Sequence, residues 1–178
     1  MSFSDKVNEE SKKMNTSNDW FKLEEGENKI RVLVEPEVFY EKFKTGICYT
    51  DCGYTGTPKY LTWILDEKDG KIKLFRMNLT LAKQIATYMN DEDYKFETFP
   101  MPYSIKINAK NAGTKEVEYT VIPGKENPIE EAILAETTTK KNVVEIIESM
   151  KAKQKERVDA GEIVVETKVE DKGESIPF

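Results

Sequence analysis

The chain has 178 residues, of which 38% are hydrophobic and 34% charged, and its formal net charge is −6. The apolar content supports one core of roughly 100 residues with solvated appendages, and the acidic balance excludes a simple polycation that coats nucleic acid. The absence of histidine removes the usual general base and the commonest zinc ligand. With two cysteines and no long apolar run, we expect a cytoplasmic protein without disulfides, cofactors, metal or membrane segments.

A polar arm precedes the first predicted strand. Residues 1–18 are rich in Ser, Asn, Lys and Glu, which predicts a flexible segment. Trp20 opens the folded part and is predicted to plug the core. Residues 29–34 alternate in polarity, which indicates a strand. Two sets of side chains follow from the alternation: Ile30, Val32 and Val34 towards the core, and Lys29, Arg31 and Leu33 away from it.

Two further strands are predicted before the first helix. Residues 38–44 extend the first strand past Pro36, which would bend it or mark a bulge. Residues 60–66 and 71–77 form a hairpin, because the Asp69-Gly70 dipeptide between them favours a tight turn.

A helix and two more strands complete the predicted domain. Asn78 or Thr80 caps a helix that ends near residue 90, with Leu81, Ile85 and Met89 facing inward. Strands follow at residues 103–108 and 116–122, separated by an Asn-Ala-Gly turn.

The predicted order of strand, strand, strand, helix, strand, strand is that of the OB-fold, a five-stranded, partly open barrel that binds oligonucleotides. The helix between the third and fourth strands is the distinguishing feature. The alternatives are another small β-barrel or a five-stranded sheet with one helix. The fold class is therefore mainly β.

The C-terminal part is predicted to be helical and then acidic. Asn127 is the predicted cap of a short helix that ends near residue 136, with Pro128 and Glu130 in supporting positions. A second helix over residues 142–157 either leans on the barrel or acts as a spacer. The chain divides into an arm (1–18), an OB-fold domain (19–135), a helical extension (136–158) and a disordered acidic tail (159–178).

Three segments carry a resemblance to known families. Residues 20–33, Trp-Phe-Lys-Leu-Glu-Glu-Gly-Glu-Asn-Lys-Ile-Arg-Val-Leu, and the hairpin over residues 60–75 resemble phage single-stranded-DNA-binding domains. The segment Ile176-Pro177-Phe178 is similar to the tip of the acidic tails of bacterial single-stranded-DNA-binding proteins. The resemblance implies a protein of DNA replication, recombination or repair, in the host cytoplasm if phage-encoded. The tip would recruit partner proteins, and the protein would be a monomer or weak homo-oligomer.

Binding a single strand requires cations for phosphates and flat rings for bases. Strand alternation and the long first loop supply the candidates. If Ile72 and Leu74 point inward, their neighbours on the third strand point out. The predicted nucleic-acid contacts are Lys29, Arg31, Tyr40, Lys42, Phe43, Lys44, Tyr49, Tyr54, Trp63, Lys71, Lys73, Phe75 and Lys106. Residues 20–135 hold 16 basic and 19 acidic side chains, so binding requires the charges to be segregated.

Other functions remain as alternatives at this stage. Cys48 and Cys52 cannot close a tetrahedral zinc site by themselves, and we interpret them as reduced thiols. A carboxylate metal site at Asp66, Glu67 and Asp69 is the main candidate for an enzyme, which we do not expect. The second alternative is an OB-fold accessory adaptor that binds protein rather than DNA.

Overall fold

The computed structural model describes residues 20–49 and 56–165. They form one antiparallel sheet of seven strands and three helices. The elements are β1 (Gly26–Val32), β2 (Glu37–Lys42), β3 (Gly46–Ile47), β4 (Thr57–Asp66), β5 (Lys71–Asn78), α1 (Leu79–Met89), β6 (Tyr103–Lys110), β7 (Glu118–Glu126), α2 (Glu131–Thr139) and α3 (Val143–Asp159).

Strand β4 organises the sheet. Strands β1 and β2 follow one another along the same edge of β4, with Val32 opposite Ile64 and Val38 opposite Tyr60. Strand β5 pairs with the other edge of β4, whereas β6 pairs with β1 and β7 with β6. The predicted continuation of the first strand past Pro36 is therefore confirmed.

The sheet has two faces, which we name after the helices that cover them. The α1 face is built around residues such as Ile30, Ile64 and Ile105, all fully buried. The α3 face is built around residues such as Leu61 and Leu74, which pack with buried residues of α3. Leu33 and Val34 both pack on the α3 face. The predictions that Leu33 points away from the core and that Val34 shares a face with Val32 are therefore wrong. The reason is that β1 ends at Val32, and the alternation ends with it.

Strand β7 does not pair with β5 in the described part of the chain, and helix α1 lies against both. The Gln84 side chain donates from Nε2 to the Tyr119 carbonyl (2.9 Å) and accepts from the Val121 amide (3.1 Å). Tyr88 donates its hydroxyl to the Val121 carbonyl (2.7 Å). Side chains of α1 thus form hydrogen bonds with backbone groups of β7 that would otherwise be available to another strand. This reduces the tendency of the β7 edge to pair with other chains.

Two of the three described helices begin at an asparagine cap. The predicted cap Asn78 is confirmed, because its side chain accepts from the Leu81 amide (2.8 Å). Asn142 caps α3 in the same way through the Val144 amide. The predicted cap Asn127 is wrong: its backbone amide donates to the Pro102 carbonyl and so lengthens the β6–β7 ladder. Helix α2 therefore begins at Glu131, without a side-chain cap.

Helix α3 is an integral layer rather than a spacer. Val143 and Ile147 are buried against the α3 face, and Ile146 and Met150 pack beside them. The predicted apolar stripe of this helix is confirmed. Among the described helices, none combines the length and apolar character needed to cross a membrane.

Burial of Tyr103 produces a pH-dependent contribution to stability. Burial, with a smaller effect from Asp91, raises the pKa of Tyr103 to about 12, and its hydroxyl donates to the Tyr94 carbonyl (2.8 Å). Since the folded state holds this proton more tightly, the contribution is complete below the ordinary pKa of 10.0 and is lost as the pH rises through about 12.

We expect urea denaturation to show a loss of about 2 kcal/mol from this group by pH 12. The Tyr103→Phe variant should therefore lose less stability between neutral pH and pH 12 than the unaltered protein. Parallel stability curves for the two proteins would contradict the assignment.

Candidate nucleic-acid interface

Strands β2 and β3 form a short hairpin with an aromatic and a basic residue at its apex. Lys42 pairs with Gly46 at the base of the turn, and residues 43–45 form the loop. Lys44 has φ 71° and Gly46 has φ 86°, so the backbone is left-handed at both positions. A lysine in this conformation, which favours glycine or asparagine, is uncommon, and such residues occur preferentially at functional sites.

Helix α3 holds the hairpin in place through Gln154. This side chain is buried, and its Nε2 donates to the Thr45 carbonyl. Gly46 packs directly against it, since a methyl group placed on Gly46 would come within 2.9 Å of Gln154 Oε1. The buried ring of Phe39 anchors β2 in the α3 face. The hairpin is thus held against α3 by Gln154 and against the α3 face by Phe39.

Two aromatic side chains of the hairpin, Phe43 at the apex and Tyr40 on β2, are exposed, and Lys42 is half-buried. Phe43 is 82% exposed and Tyr40 is 48% exposed. Lys44 Nζ lies 5.9 Å from the centre of the Phe43 ring, within the range of a cation–π contact. We call Tyr40, Lys42, Phe43 and Lys44 together the hairpin surface. Four of the predicted contacts therefore lie together on one exposed element.

Cations outnumber carboxylates beside the hairpin surface. A depression beside it is lined by Lys42, Lys44 and Arg157, with Glu162 as the carboxylate in its lining. Glu162 lies 3.3 Å from Arg157 Nε. Glu41, the acidic residue of β2 nearest the apex, forms an ion pair with Arg76 (2.6 Å). Although the chain is acidic overall, this region combines cations with an exposed ring.

Arg31, a predicted phosphate contact, is wrongly assigned. It is 2% exposed, because it lies opposite Leu65 on the α3 face. Burial lowers the pKa of its guanidinium, and the nearby Glu67 carboxylate opposes that shift. Its Nε and Nη2 atoms are buried and find no hydrogen-bond partner among the described residues. A strand that is buried on both faces does not present alternate residues to solvent.

Phe75 and Trp63 are also buried rather than available for stacking. Phe75 is 2% exposed and meets the Phe21 ring edge-on at 5.0 Å on the α1 face. Trp63 is 9% exposed, and its indole N–H donates to the Lys141 carbonyl (2.8 Å). The helical segment after β7 covers the Trp63 side of the sheet, with Lys140 Nζ 5.5 Å from the ring centre.

Trp20 was predicted to plug the core, but its neighbour Phe21 is the residue that does so. Trp20 is 37% exposed and bridges to Leu74 at the free edge of β5, whereas Phe21 is buried. The Phe21 amide donates to the Leu74 carbonyl (2.9 Å), which fixes this register.

The remaining predicted lysines lie apart from the hairpin and mostly face carboxylates. Lys73 contacts Asp66 (2.6 Å) and Asp69 (2.7 Å). Burial alone would lower the pKa of Lys73, but these two carboxylates raise it overall. The other ion pairs are Lys29 with Glu67 (3.3 Å) and Lys106 with Glu27 (3.6 Å), and Lys71 is exposed at the start of β5.

The loop after β3 is described in part. Cys48 and Tyr49 are half-buried, and the Cys48 thiol lies 3.8 Å from the Tyr49 carbonyl. Cys52 and Tyr54, and the segment Ile176-Pro177-Phe178, lie outside the described residues. In the described ranges, no three Cys, Asp or Glu side chains are grouped so that they could hold a metal ion. Asp66 and Asp69 bind Lys73, and Glu67 accepts a hydrogen bond from Ser104.

Two residues that contribute to this region are not apparent from the sequence. Arg157 belongs to a basic run, which by its sequence predicts an exposed helix surface. The packing of α3 places Arg157 beside the hairpin. Gln154 lies between two lysines in that run and gives no signal of burial.

Comparison with protein-family models, curated protein sequences and solved structures finds no match to this chain.

Proposed function

We propose that the chain is a single-stranded-DNA-binding protein that binds without sequence specificity through the hairpin surface. The observation that carries this proposal is Phe43, a ring 82% exposed at the apex of the hairpin, between Lys42 and Lys44. An exposed ring is a platform for any base, and the flanking cations suit the phosphates on either side. Hydrogen-bonding groups that could discriminate between bases are not required for such binding.

We further propose that the sheet is an open OB-type barrel. If β1 and β2 count as one bent strand and the two-residue β3 is treated as an addition to it, five strands remain, and the sheet order becomes β5, β4, β1/β2, β6, β7. In chain order, α1 connects the third of these strands, β5, to the fourth, β6, and it packs against both β5 and β7, the two strands at the opening. This arrangement supports the OB assignment, because that fold is a partly open barrel with oligonucleotide-binding members.

The covered α3 face explains why binding would use the hairpin instead of the middle of the sheet. Leu61, Trp63 and Leu74 form one hydrophobic cluster with Val143 and Ile147. Lifting α3 would expose several large apolar side chains at roughly 1.5–3 kcal/mol each, which a few base contacts would not offset. The hairpin surface is accessible without such a change.

Salt dependence tests the role of Lys44. Each phosphate neutralised on a single strand contributes about 0.7 to the slope of log affinity against log salt. We expect Lys44→Gln to reduce that slope by about this amount in fluorescence anisotropy titrations with labelled oligo-dT. The control is Lys110→Gln, since Lys110 is exposed at the end of β6, on another part of the sheet. An unchanged slope for Lys44→Gln, or an equal change in the control, would count against this contact.

The wider role follows the sequence resemblance. We propose that the protein acts in DNA replication, recombination or repair and that Ile176-Pro177-Phe178 recruits a partner protein. An adaptor that binds protein alone is the second candidate, because Phe43 and Val164 are both more than 80% exposed and could form an apolar contact surface. The cations beside Phe43 favour nucleic acid over this alternative.

A further inference from the structure

A groove lies between helix α1 and strands β4 and β5, next to the start of β2. Its cavity volume is about 240 Å³. Tyr60 and Met77 line it from the strands, and Phe99 lines it from the segment before β6. Ala82 and Ala86 line it from the helix, where their small side chains leave room for a ligand. We call this cavity the α1 groove.

The α1 groove continues the hairpin surface along β2. Val38 lies opposite Tyr60 in the β2–β4 pairing, and Tyr40 lies opposite Pro58. Because opposed residues of an antiparallel pair share a face, Val38 and Tyr40 point to the same side as Tyr60. Val38 is 44% exposed. Two exposed side chains of β2, Tyr40 of the hairpin surface and Val38, therefore lie on the same side of the sheet as the groove.

The lining of the groove favours a flat ring over a peptide. Besides the Tyr60 hydroxyl, the charged side chains Glu35 and Lys83 are the polar groups of its lining. A peptide buried there would leave N–H and C=O groups without partners, which is costly. A nucleobase can insert its face against Tyr60 and Phe99 and keep its polar edge in water. Lys83 at the groove and Lys44 at the hairpin complement the charge of a phosphate backbone.

We propose that the α1 groove holds one unpaired nucleobase of the strand whose neighbouring nucleotides lie on the hairpin surface. This inference rests on the proposed function and adds a second contact region to it. The groove would take any base, because its lining has few groups that could read a base edge. Glu35 would repel the adjacent phosphate, so Glu35→Gln is expected to bind oligo-dT more tightly.

Photocrosslinking tests the inference directly. Oligo-dT carrying 5-iodo-deoxyuridine is irradiated with the full chain, and the linked residues are mapped by mass spectrometry. We expect links at Tyr60 or Phe99 in addition to links at Tyr40 or Phe43. Links at the hairpin without any at the groove would overturn the groove site and leave the proposed function intact. Links at neither region would overturn both.

A substitution that fills the groove gives a second measurement. Ala86→Trp is expected to weaken oligo-dT binding by about five-fold or more, the loss equivalent to one stacked base. Ala86 is exposed, so the fold should tolerate the larger ring, which thermal denaturation checks. Thr87→Trp is the matched control, because Thr87 is the next exposed residue of α1 and does not line the groove. Unchanged affinity in Ala86→Trp, or an equal loss in the control, would overturn the inference.

Discussion

Replacing Phe43 with alanine is expected to lower the affinity for oligo-dT by roughly 5-fold to more than 100-fold. Stacking of a base on an aromatic side chain contributes roughly 1–3 kcal/mol, and Phe43 is the most exposed ring of the hairpin surface. Because the ring is 82% exposed, its removal should leave the free energy of unfolding nearly unchanged. Anisotropy titrations at low salt and urea denaturation measure the two quantities separately.

Ile122→Ala is the control for Phe43→Ala. Ile122 is also a large exposed apolar residue, at 53%, but it belongs to β7, away from the hairpin. We expect this variant to bind oligo-dT as the unaltered protein does. Equal affinities for all three proteins would show that Phe43 does not stack on bases, and equal losses in both variants would show a nonspecific effect.

Replacing Ile147 with alanine is expected to destabilise the protein by about 2–5 kcal/mol. Ile147 is 4% exposed and packs on the α3 face with the cluster that includes Leu61 and Trp63. The cost has two sources, which are the lost burial of the side chain and the cavity left between helix and sheet. Urea denaturation at neutral pH gives the change in the free energy of unfolding.

Val144 provides the matched control on the same helix. It is 47% exposed, so Val144→Ala should change the free energy of unfolding by no more than about 0.5 kcal/mol. A small effect of both substitutions would mean that α3 is a detachable spacer. The α3 face would then be available to a ligand, and the reason for placing binding at the hairpin would be lost.

The order of the longer strands and the position of α1 could be predicted from the sequence, because their signals are local, whereas the two-residue strand β3 was not predicted. The Asp69-Gly70 turn is confirmed, with Gly70 at φ 71° and its amide bonded to the Asp66 carbonyl. Asn78 could be recognised as the cap of α1 because capping involves only residues close in sequence, here the Asn78 side chain and the Leu81 amide. Such features need no knowledge of what packs on the sheet.

The faces of β1 and β5 could not be predicted, because they depend on elements distant in sequence. In β5, Ile72 and Leu74 face the α3 face, while Phe75 faces the α1 face. Alternation shows that neighbouring residues point to opposite sides, but it does not show that helices cover both sides. The same limit applies to Arg31, whose charge suggests exposure although it is buried.

The candidate site was predictable in part. Tyr40, Lys42, Phe43 and Lys44 are consecutive or nearly so, and the pattern of rings and cations is visible in the sequence. Their support by Gln154 and their proximity to Arg157 depend on the packing of α3, more than 100 residues later in the chain. Side chains from distant elements could therefore not be predicted from the sequence, whereas the local cluster could.

The most direct test of the central claim is a titration of the full chain with labelled oligo-dT at low salt, repeated with a mixed-sequence single strand and with duplex DNA. We expect saturable binding of both single strands with similar affinity, weaker binding of the duplex, and release of the strands as salt is added. Absence of binding to single strands at low salt, or tighter binding of the duplex, would contradict it.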